Sequence, residues 1–323
     1  MLYPLKFEPI LKDKIWGGNK LNTMFGKISS SFSLGESYEL SGLENDQSVV
    51  KNGFLAGNTL EELIEVYMGE LVGDVVYENF GLQFPLLFKL IDANDTLSVQ
   101  VHPGDEIAFE RHQQMGKTEM WYVLDADKDA SIIYGFKENC SQQDYLVALE
   151  NGGVEYLMHQ VKVQKGDVIF IPSGVVHAIG KGIVLAEIQQ TSDLTYRIFD
   201  FNRKDANGNE RELHTELALD VISFSHDSQP IIKYSPAYNV ITPLVACEYF
   251  TTNLLVFNQP INRHYQSINS FVVYMCVDGS FLIENELEKI IVDKGETVLI
   301  PACIDSITLY PESECKLLEI YID

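Results

Sequence analysis

Lys165-Gly166-Asp167-Val168-Ile169-Phe170-Ile171-Pro172-Ser173-Gly174-Val175-Val176-His177 is the stretch whose reading decides the fold. A turn glycine leads into the apolar run Val168 to Ile171, the run stops at a proline, and a second glycine turn delivers a histidine. Apolar runs bounded by Gly and Pro are read as strands. The first half returns as Lys294-Gly295-Glu296-Thr297-Val298-Leu299-Ile300-Pro301, and each copy follows an aromatic run, Trp121-Tyr122-Val123-Leu124 or Val273-Tyr274-Met275-Cys276. Repetition at so long a spacing predicts two related β units. The alternative is that both copies are ordinary strand-and-turn sequence.

Outward from this stretch, most of the chain consists of short β-branched and aromatic runs separated by Gly, Asp, Asn and Pro, which predicts a mainly β protein. Helices are the minority. Thr59-Leu60-Glu61-Glu62 is a capping box, and Leu60, Leu63, Ile64, Tyr67 and Met68 fall on one helical face. A second helix is predicted after Ser141, with Asp144 three residues on and Gly152 near its end. A third is predicted from Thr215 toward Phe224 through Leu217, Val221 and Ile222. All three read as cladding on a β core.

Composition narrows the function. Forty-seven acidic against 23 basic side chains in 323 residues give a net charge of −24, which opposes a general grip on nucleic acid or anionic membranes. The five cysteines are odd in number and lack CxxC spacing, so a disulfide framework or thiolate zinc site is not expected, and a reducing cytoplasm fits. Charge and proline interrupt the first residues before a signal-like stretch develops. The strongest apolar run, Phe271 to Val277, is far shorter than the roughly 20 residues of a membrane span. A soluble cytoplasmic protein is expected, and none of these signals bears on its oligomeric state.

Chemistry concentrates in three segments. In Leu97-Ser98-Val99-Gln100-Val101-His102-Pro103, strand alternation places Ser98, Gln100 and His102 on one face. Gly116-Lys117-Thr118-Glu119-Met120-Trp121-Tyr122 puts an acid at the start of an apolar strand, and the opening stretch supplies His177. Two imidazoles, a carboxylate and an amide oxygen from neighbouring strands form a mixed N/O donor set that suits zinc and also accommodates iron, manganese or cobalt. Taken singly, His177 also reads as a core histidine bonded to backbone, and Glu119 as an exposed acid. His112, His159, His214, His226 and His264 have no comparable context and read as solvent or capping groups.

Together these residues resemble a known family. The opening stretch is similar throughout to the second cupin motif, G-x5-P-x-G-x2-H, with Lys181 where an asparagine often follows. With Trp16-Gly17-Gly18 and Gly35-Glu36-Ser37-Tyr38-Glu39-Leu40-Ser41 added to the other segments, the chain resembles the short bacterial form of type I mannose-6-phosphate isomerases, strongly up to about residue 225. The resemblance implies a mainly β fold of two cupin-type jelly-roll barrels with small helical additions. Residues 1–239 would form the catalytic domain and 240–323 a degenerate cupin-like domain.

The resemblance also implies an activity and a site. One zinc ion per chain would be held by Gln100, His102, Glu119 and His177, and mannose 6-phosphate and fructose 6-phosphate would interconvert through a cis-enediol. Arg197, Lys117 and Glu187 would be catalytic, with Lys117 or Glu187 as the base. Ser98, Lys89 and Asp193 would bind substrate, Ser98 and Lys89 near its phosphate. Longer relatives carry a histidine before this lysine, whereas here Gly116 precedes Lys117, which puts a His-dependent ring-opening step in doubt. From spacing alone, Arg197 also reads as a surface partner of Asp193 or Asp200, and Lys89 as a snorkelling lysine. Two rival functions are a non-catalytic sugar-phosphate sensor, which would have lost a ligand or acid–base residue, and an iron-dependent cupin oxygenase, which would consume oxygen. In the C-terminal copy, aligning Pro301 with Pro172 places Ser306 where His177 stands, and aligning Tyr274 with Tyr122 places Phe271 where Glu119 stands. That copy is therefore expected to hold no catalytic metal.

Overall fold

The apolar runs become strands, and in the structure, a computed structural model that describes residues 1–204, 208–285 and 288–323, those strands form two pairs of facing sheets. In the first pair, a six-stranded sheet runs Val168–Ile171, Glu119–Ala126, Ile183–Gln190, Leu86–Ala93, Leu34–Leu40, Ile10–Gly18. A five-stranded sheet runs Met158–Lys162, Ser131–Phe136, His177–Ala178, Val99–Val101, Tyr196–Phe199. Ile91, Trp121, Val123 and Leu185 of the first meet Ile132, Tyr134 and Ile179 across the gap. In the second pair, a six-stranded sheet built around Val272–Asp278 and Cys315–Tyr321 faces a four-stranded one, with Tyr274, Leu255, Phe281 and Leu309 between them.

The two six-stranded sheets then pack back to back. Phe88, Leu90, Met120 and Ile188 of one share a core with Leu254, Val273, Met275 and Leu318 of the other. Each is thus buried on both faces, which explains why Leu86–Ala93 and Ile183–Gln190 are buried at every position although their ladders are antiparallel. None of the sheets closes on itself among the described residues, so the expectation of closed barrels gives way to paired open sheets. Leu5–Lys6, from the start of the chain, adds to the edge of the second unit by pairing with Leu299 and Val298.

Helices clad this β core as expected. Leu60–Tyr67 starts at a complete Thr59/Glu62 capping box, but Met68 lies beyond its end at φ 46°, outside the predicted face. Gln142–Asn151 starts at a Ser141/Asp144 box and stops at Gly152. The third helix is only Thr215–Leu219, so Val221 and Ile222 lie past it rather than in it. Asp105–His112, a helix that sequence reasoning missed, has a weak apolar face because its buried member is Ala108.

The two units share a register that corrects the sequence alignment by one position. Glu119 stands opposite Ile171 as Val272 stands opposite Ile300, so Val272, and not Phe271, takes the Glu119 place. Past the proline, Ser306 is exposed and Ile307 points inward, facing Arg263 across the ladder as His177 faces Gln100. Glu187 pairs with Trp121 on one side and Lys89 on the other; Glu319 pairs in the same way with Tyr274 and Asn253.

Candidate active site

Three of the expected ligands come from different parts of the first sheet pair. Glu119 opens its strand fully buried, while His177 and Gln100 lie opposite one another in the facing sheet. His102 follows Gln100 on the same face, one residue past the end of the short strand. Ligand-type atoms of His102, Glu119 and His177 all lie within 4.8 Å of one another, and all three residues are buried.

The donor set is that of a cation site. His102 donates from Nδ1 to the Leu194 carbonyl (2.7 Å) and His177 from Nδ1 to the Val175 carbonyl (2.9 Å), so each Nε2 presents a lone pair. Those Nε2 atoms lie 3.5 and 3.3 Å from the two oxygens of Glu119. Burial holds both rings neutral: His177 falls to about 4, and His102 is driven well below its ordinary value by burial and then by Lys117 and His177. Burial, with Glu187 adding to it, pushes the Glu119 carboxyl upward. His102 Nε2 and both Glu119 oxygens have no hydrogen-bond partner. Buried lone pairs facing a buried carboxylate repel one another unless a cation sits among them, so these residues fit a metal ion. Gln100 Nε2 lies 3.2 Å from His177 Nε2, and half a turn of the amide would present its oxygen instead.

A second buried layer adjoins this one. Lys117 Nζ lies 3.3 Å from Glu119, and Lys89 Nζ lies 3.1 Å from Glu187 and 5.1 Å from the centre of the Tyr38 ring. The other oxygen of Glu187 accepts from Trp121 Nε1 at 3.0 Å. Burial works to raise Glu187, but Lys89 and Lys117 outweigh it and hold the carboxylate ionised. Lys89 is therefore no snorkelling surface lysine.

A cavity of about 440 Å³ adjoins these layers; its walls include Ser98, Gln100, Lys89, Lys117, Glu187, Asp193 and Arg197, whereas His102, Glu119 and His177 lie behind them. Arg197 reaches Ser98 Oγ through Nε (3.3 Å) and the Glu212 carbonyl through Nη1 (2.8 Å). Asp193 also borders a wider groove of about 960 Å³, but that groove presents Glu44, Asp46, Asp105, Glu248 and Asp323 and, among the described residues, no Lys, Arg or His on its walls. An anionic substrate is repelled there, and the smaller cavity is the candidate site. Trp16, Glu36, Tyr38 and Arg211 line it as well. The first three lie in quoted family segments, where alternation puts Glu36 and Tyr38 on one face; Arg211 had no sequence signal.

Space explains the departure at position 116. A Cβ on Gly116 would stand 2.6 Å from the Asp105 backbone nitrogen and 2.8 Å from the Gly104 carbonyl carbon, so no side chain fits. Of the other histidines, His112 bonds Tyr196 OH, His214 Nδ1 accepts from the Arg197 backbone N–H, and His226 bonds the Phe136 carbonyl.

Residues 4–141 match the family described as phosphomannose isomerase type I, catalytic domain, and residues 240–322 match the mannose-6-phosphate isomerase cupin domain. Over 318 residues, 97% of each chain, the sequence is 37% identical to a Bacillus subtilis (strain 168) protein named mannose-6-phosphate isomerase ManA. The chain belongs to the type I phosphomannose isomerases. A Streptococcus mutans mannose-6-phosphate isomerase is also 37% identical over 95% of each chain. The crystal structure of the mannose 6-phosphate isomerase from Bacillus subtilis superposes with a TM-score of 0.88 at 34% identity, covering 99% of this chain and 100% of that one. This phosphomannose isomerase thus shares its relatives' fold over nearly its whole length, and among its described residues no helix is long and apolar enough to cross a membrane.

Proposed function

We propose that the 440 Å³ cavity is where this isomerase interconverts mannose 6-phosphate and fructose 6-phosphate, with zinc held by His102, Glu119, His177 and the reoriented amide of Gln100. The observation that carries the reading is the set of buried His102 and Glu119 atoms without a hydrogen-bond partner, beside a cavity that presents Gln100, Lys89, Lys117 and Arg197. Nitrogen and oxygen donors without thiolate suit zinc and admit other divalent ions. Bound there, the metal supplies Lewis-acid polarisation of the carbonyl and adjacent hydroxyl oxygens.

The chain's own residues supply the rest. Both oxygens of Glu187 are engaged, by Lys89 and by Trp121, so Glu187 serves to position and neutralise Lys89. That leaves Lys117 Nζ, whose described contact is Glu119, as the group that in its neutral amine form takes the proton from C2, becoming the ammonium, and returns that proton to C1. Arg197, opposite Gln100 in the ladder, places its guanidinium along the sugar and stabilises charge developing on the enediolate. Ser98, Lys89 and Asp193 complete the walls around the substrate. We read residues 1–239 as the catalytic cupin unit and 240–323 as a degenerate jelly-roll copy, with a single metal per chain. The shared register around Glu187 and Glu319 supports that duplication.

The test is metal analysis of the purified protein coupled to an assay of mannose 6-phosphate conversion before chelation, after it, and after zinc is restored. Metal without turnover would favour a sensor, and oxygen uptake an oxygenase.

A further inference from the structure

Gly116, Lys117 and Thr118 belong to no strand or helix, yet each of their backbone N–H groups is taken. Gly116 donates to Asp105 Oδ1 at 2.7 Å, Lys117 to the Pro103 carbonyl at 3.1 Å, and Thr118 to Gln190 Oε1 at 2.8 Å. The segment that carries Lys117 therefore hangs largely on two side chains rather than on a sheet ladder.

Those two side chains are joined. The buried amide of Gln190 also donates from Nε2 to Asp105 Oδ1 at 3.0 Å. The other oxygen, Asp105 Oδ2, accepts from Tyr249 OH at 2.8 Å. Tyr249 comes from the second unit, in the turn between the strands Val240–Ala246 and Thr251–Phe257. Asp105 is exposed, but it gathers three donors from three distant parts of the chain, and bonds to a carboxylate are the stronger kind. The bare backbone of Gly116 permits the approach, since a Cβ there would stand 2.9 Å from Asp105 Oδ1. Asp105, Gln190 and Tyr249 line the wider groove and not the catalytic cavity, whereas Lys117 lines that cavity.

We infer that Asp105 is a positioning residue for Lys117, and that Tyr249, acting through Asp105, makes the second unit a working part of the first unit's active site. The inference rests on the reading of Lys117 as the base and adds to it how that base is held. A lysine carries its amine on a long flexible stem, so Nζ is placed only as well as the backbone it springs from. Proton transfer needs hydrogen-bond reach, and a displacement of about 1 Å caused from a distance can cost on the order of 100-fold in rate. The neighbouring ligand Glu119 is held separately, by ladders to Ile171 and Gln189. Loss of the Asp105 bonds should therefore disturb the base while sparing the metal.

The experiment uses the full-length, metal-loaded protein and compares the wild type with Asp105→Ala, Asp105→Asn, Tyr249→Phe, the double variant Asp105→Ala/Tyr249→Phe, and Lys117→Met as a reference. Metal content, kcat and KM for mannose 6-phosphate, and the share of C2 deuterium delivered to C1 rather than lost to water are measured, together with backbone amide exchange over residues 116–118. In Asp105→Ala, kcat per folded molecule should fall about 10- to 100-fold with KM within about threefold and metal unaltered, the delivered share of deuterium should fall, and amide exchange should quicken about 10-fold. Asp105→Asn keeps an acceptor for Gly116 and should recover most of the rate. Tyr249→Phe should cost about 3- to 10-fold in kcat in the wild type and nothing further in Asp105→Ala. A kcat within twofold of wild type in Asp105→Ala, or a Tyr249→Phe loss as large in the double variant as in the single one, would overturn the inference. If Lys117→Met keeps its rate, or the wild type fails to isomerise mannose 6-phosphate, the underlying reading falls, and amide exchange still decides the role of Asp105. Faster exchange over 116–118 in Asp105→Ala supports the hold, and unchanged exchange refutes it.

Discussion

Replacing Arg263 by methionine tests whether the second sheet pair has exchanged a metal centre for an internal ion pair. Arg263 sits where Gln100 sits in the first unit, and Tyr265, two residues on, sits where His102 does. Its guanidinium contacts both oxygens of Glu319 (2.9 and 2.8 Å), and Tyr274 OH donates to the same carboxylate at 2.9 Å. Glu319 is 1% exposed, so removing Arg263 strands a carboxylate in the core with Tyr274 and Asn253 as neutral donors. Breaking a buried pair from one side costs about 3–5 kcal/mol; Arg263 is itself 21% exposed, so the lower figure of about 3 kcal/mol is expected. The companion variant Arg263→Met/Glu319→Gln removes the orphaned charge and should recover more than half of that loss. Urea titration followed by intrinsic fluorescence at neutral pH gives all the values of the cycle, and specific activity per folded molecule should stay at the wild-type level in both variants. A single substitution costing under about 1 kcal/mol, or a double variant no more stable than the single one, would refute the idea that the pair holds this core together.

His102→Ala or His177→Ala should abolish metal binding and turnover while circular dichroism stays native, and an active, metal-replete His177→Ala protein would contradict the ligand set. Arg197→Ala should lower kcat far more than it raises KM, whereas Lys89→Ala should chiefly raise KM, and steady-state kinetics separate the two. Gly116→Ala drives a Cβ to 2.6 Å from backbone and should cost about 2 kcal/mol in chemical denaturation while displacing Lys117; wild-type stability and rate would refute the steric account. Glu296, ion-paired to Lys6 and Lys51, is held at about 2 because its hydrogen bonds and those lysines outweigh burial. A carboxylate lowered on folding contributes stability above its unfolded value of 4.5, and that contribution is lost as pH falls toward 2. The stability gap between wild type and Glu296→Gln, on the order of 2 kcal/mol at pH 7, should therefore shrink by pH 3.

The mainly β class and two capping-box helices were legible because they depend on local chemistry: turn glycines, β-branched runs, and Thr59 or Ser141 followed by an acid. The convergence of His102, Glu119 and His177 was legible for a similar reason, since alternation over Ser98 to His102 and a fixed turn before His177 set side-chain direction within a few residues. What sequence could not carry was register across long separations. The one-residue shift that puts Val272 and Ile307 in the ligand places depends on ladders between distant strands, and neither copy contains a local signal for it. Back-to-back packing also erased alternation: strands buried on both faces read as unbroken apolar runs and do not reveal which face meets which layer. The place of Arg211 on the cavity wall was invisible because it depends on Asp200, eleven residues away in sequence, and on a wall assembled by other strands.

The short Leu5–Lys6 strand pairs with residues nearly three hundred positions later in the chain. During synthesis these residues emerge nearly three hundred positions ahead of their hydrogen-bonding partners near Leu299. The first sheet pair can collapse around its own strands, but this edge stays unpaired until translation has passed Leu299. Closing so long a loop is slow rather than thermodynamically costly, since the entropic penalty grows only with the logarithm of its length. The join to the second unit is thus expected to form as a late, rate-determining step of folding, with Lys6 and Glu296 closing it as a clasp. A nascent chain halted before residue 297 would expose an open edge to neighbouring molecules, which makes the tempo of synthesis, as much as the final contacts, a determinant of how cleanly this fold is reached.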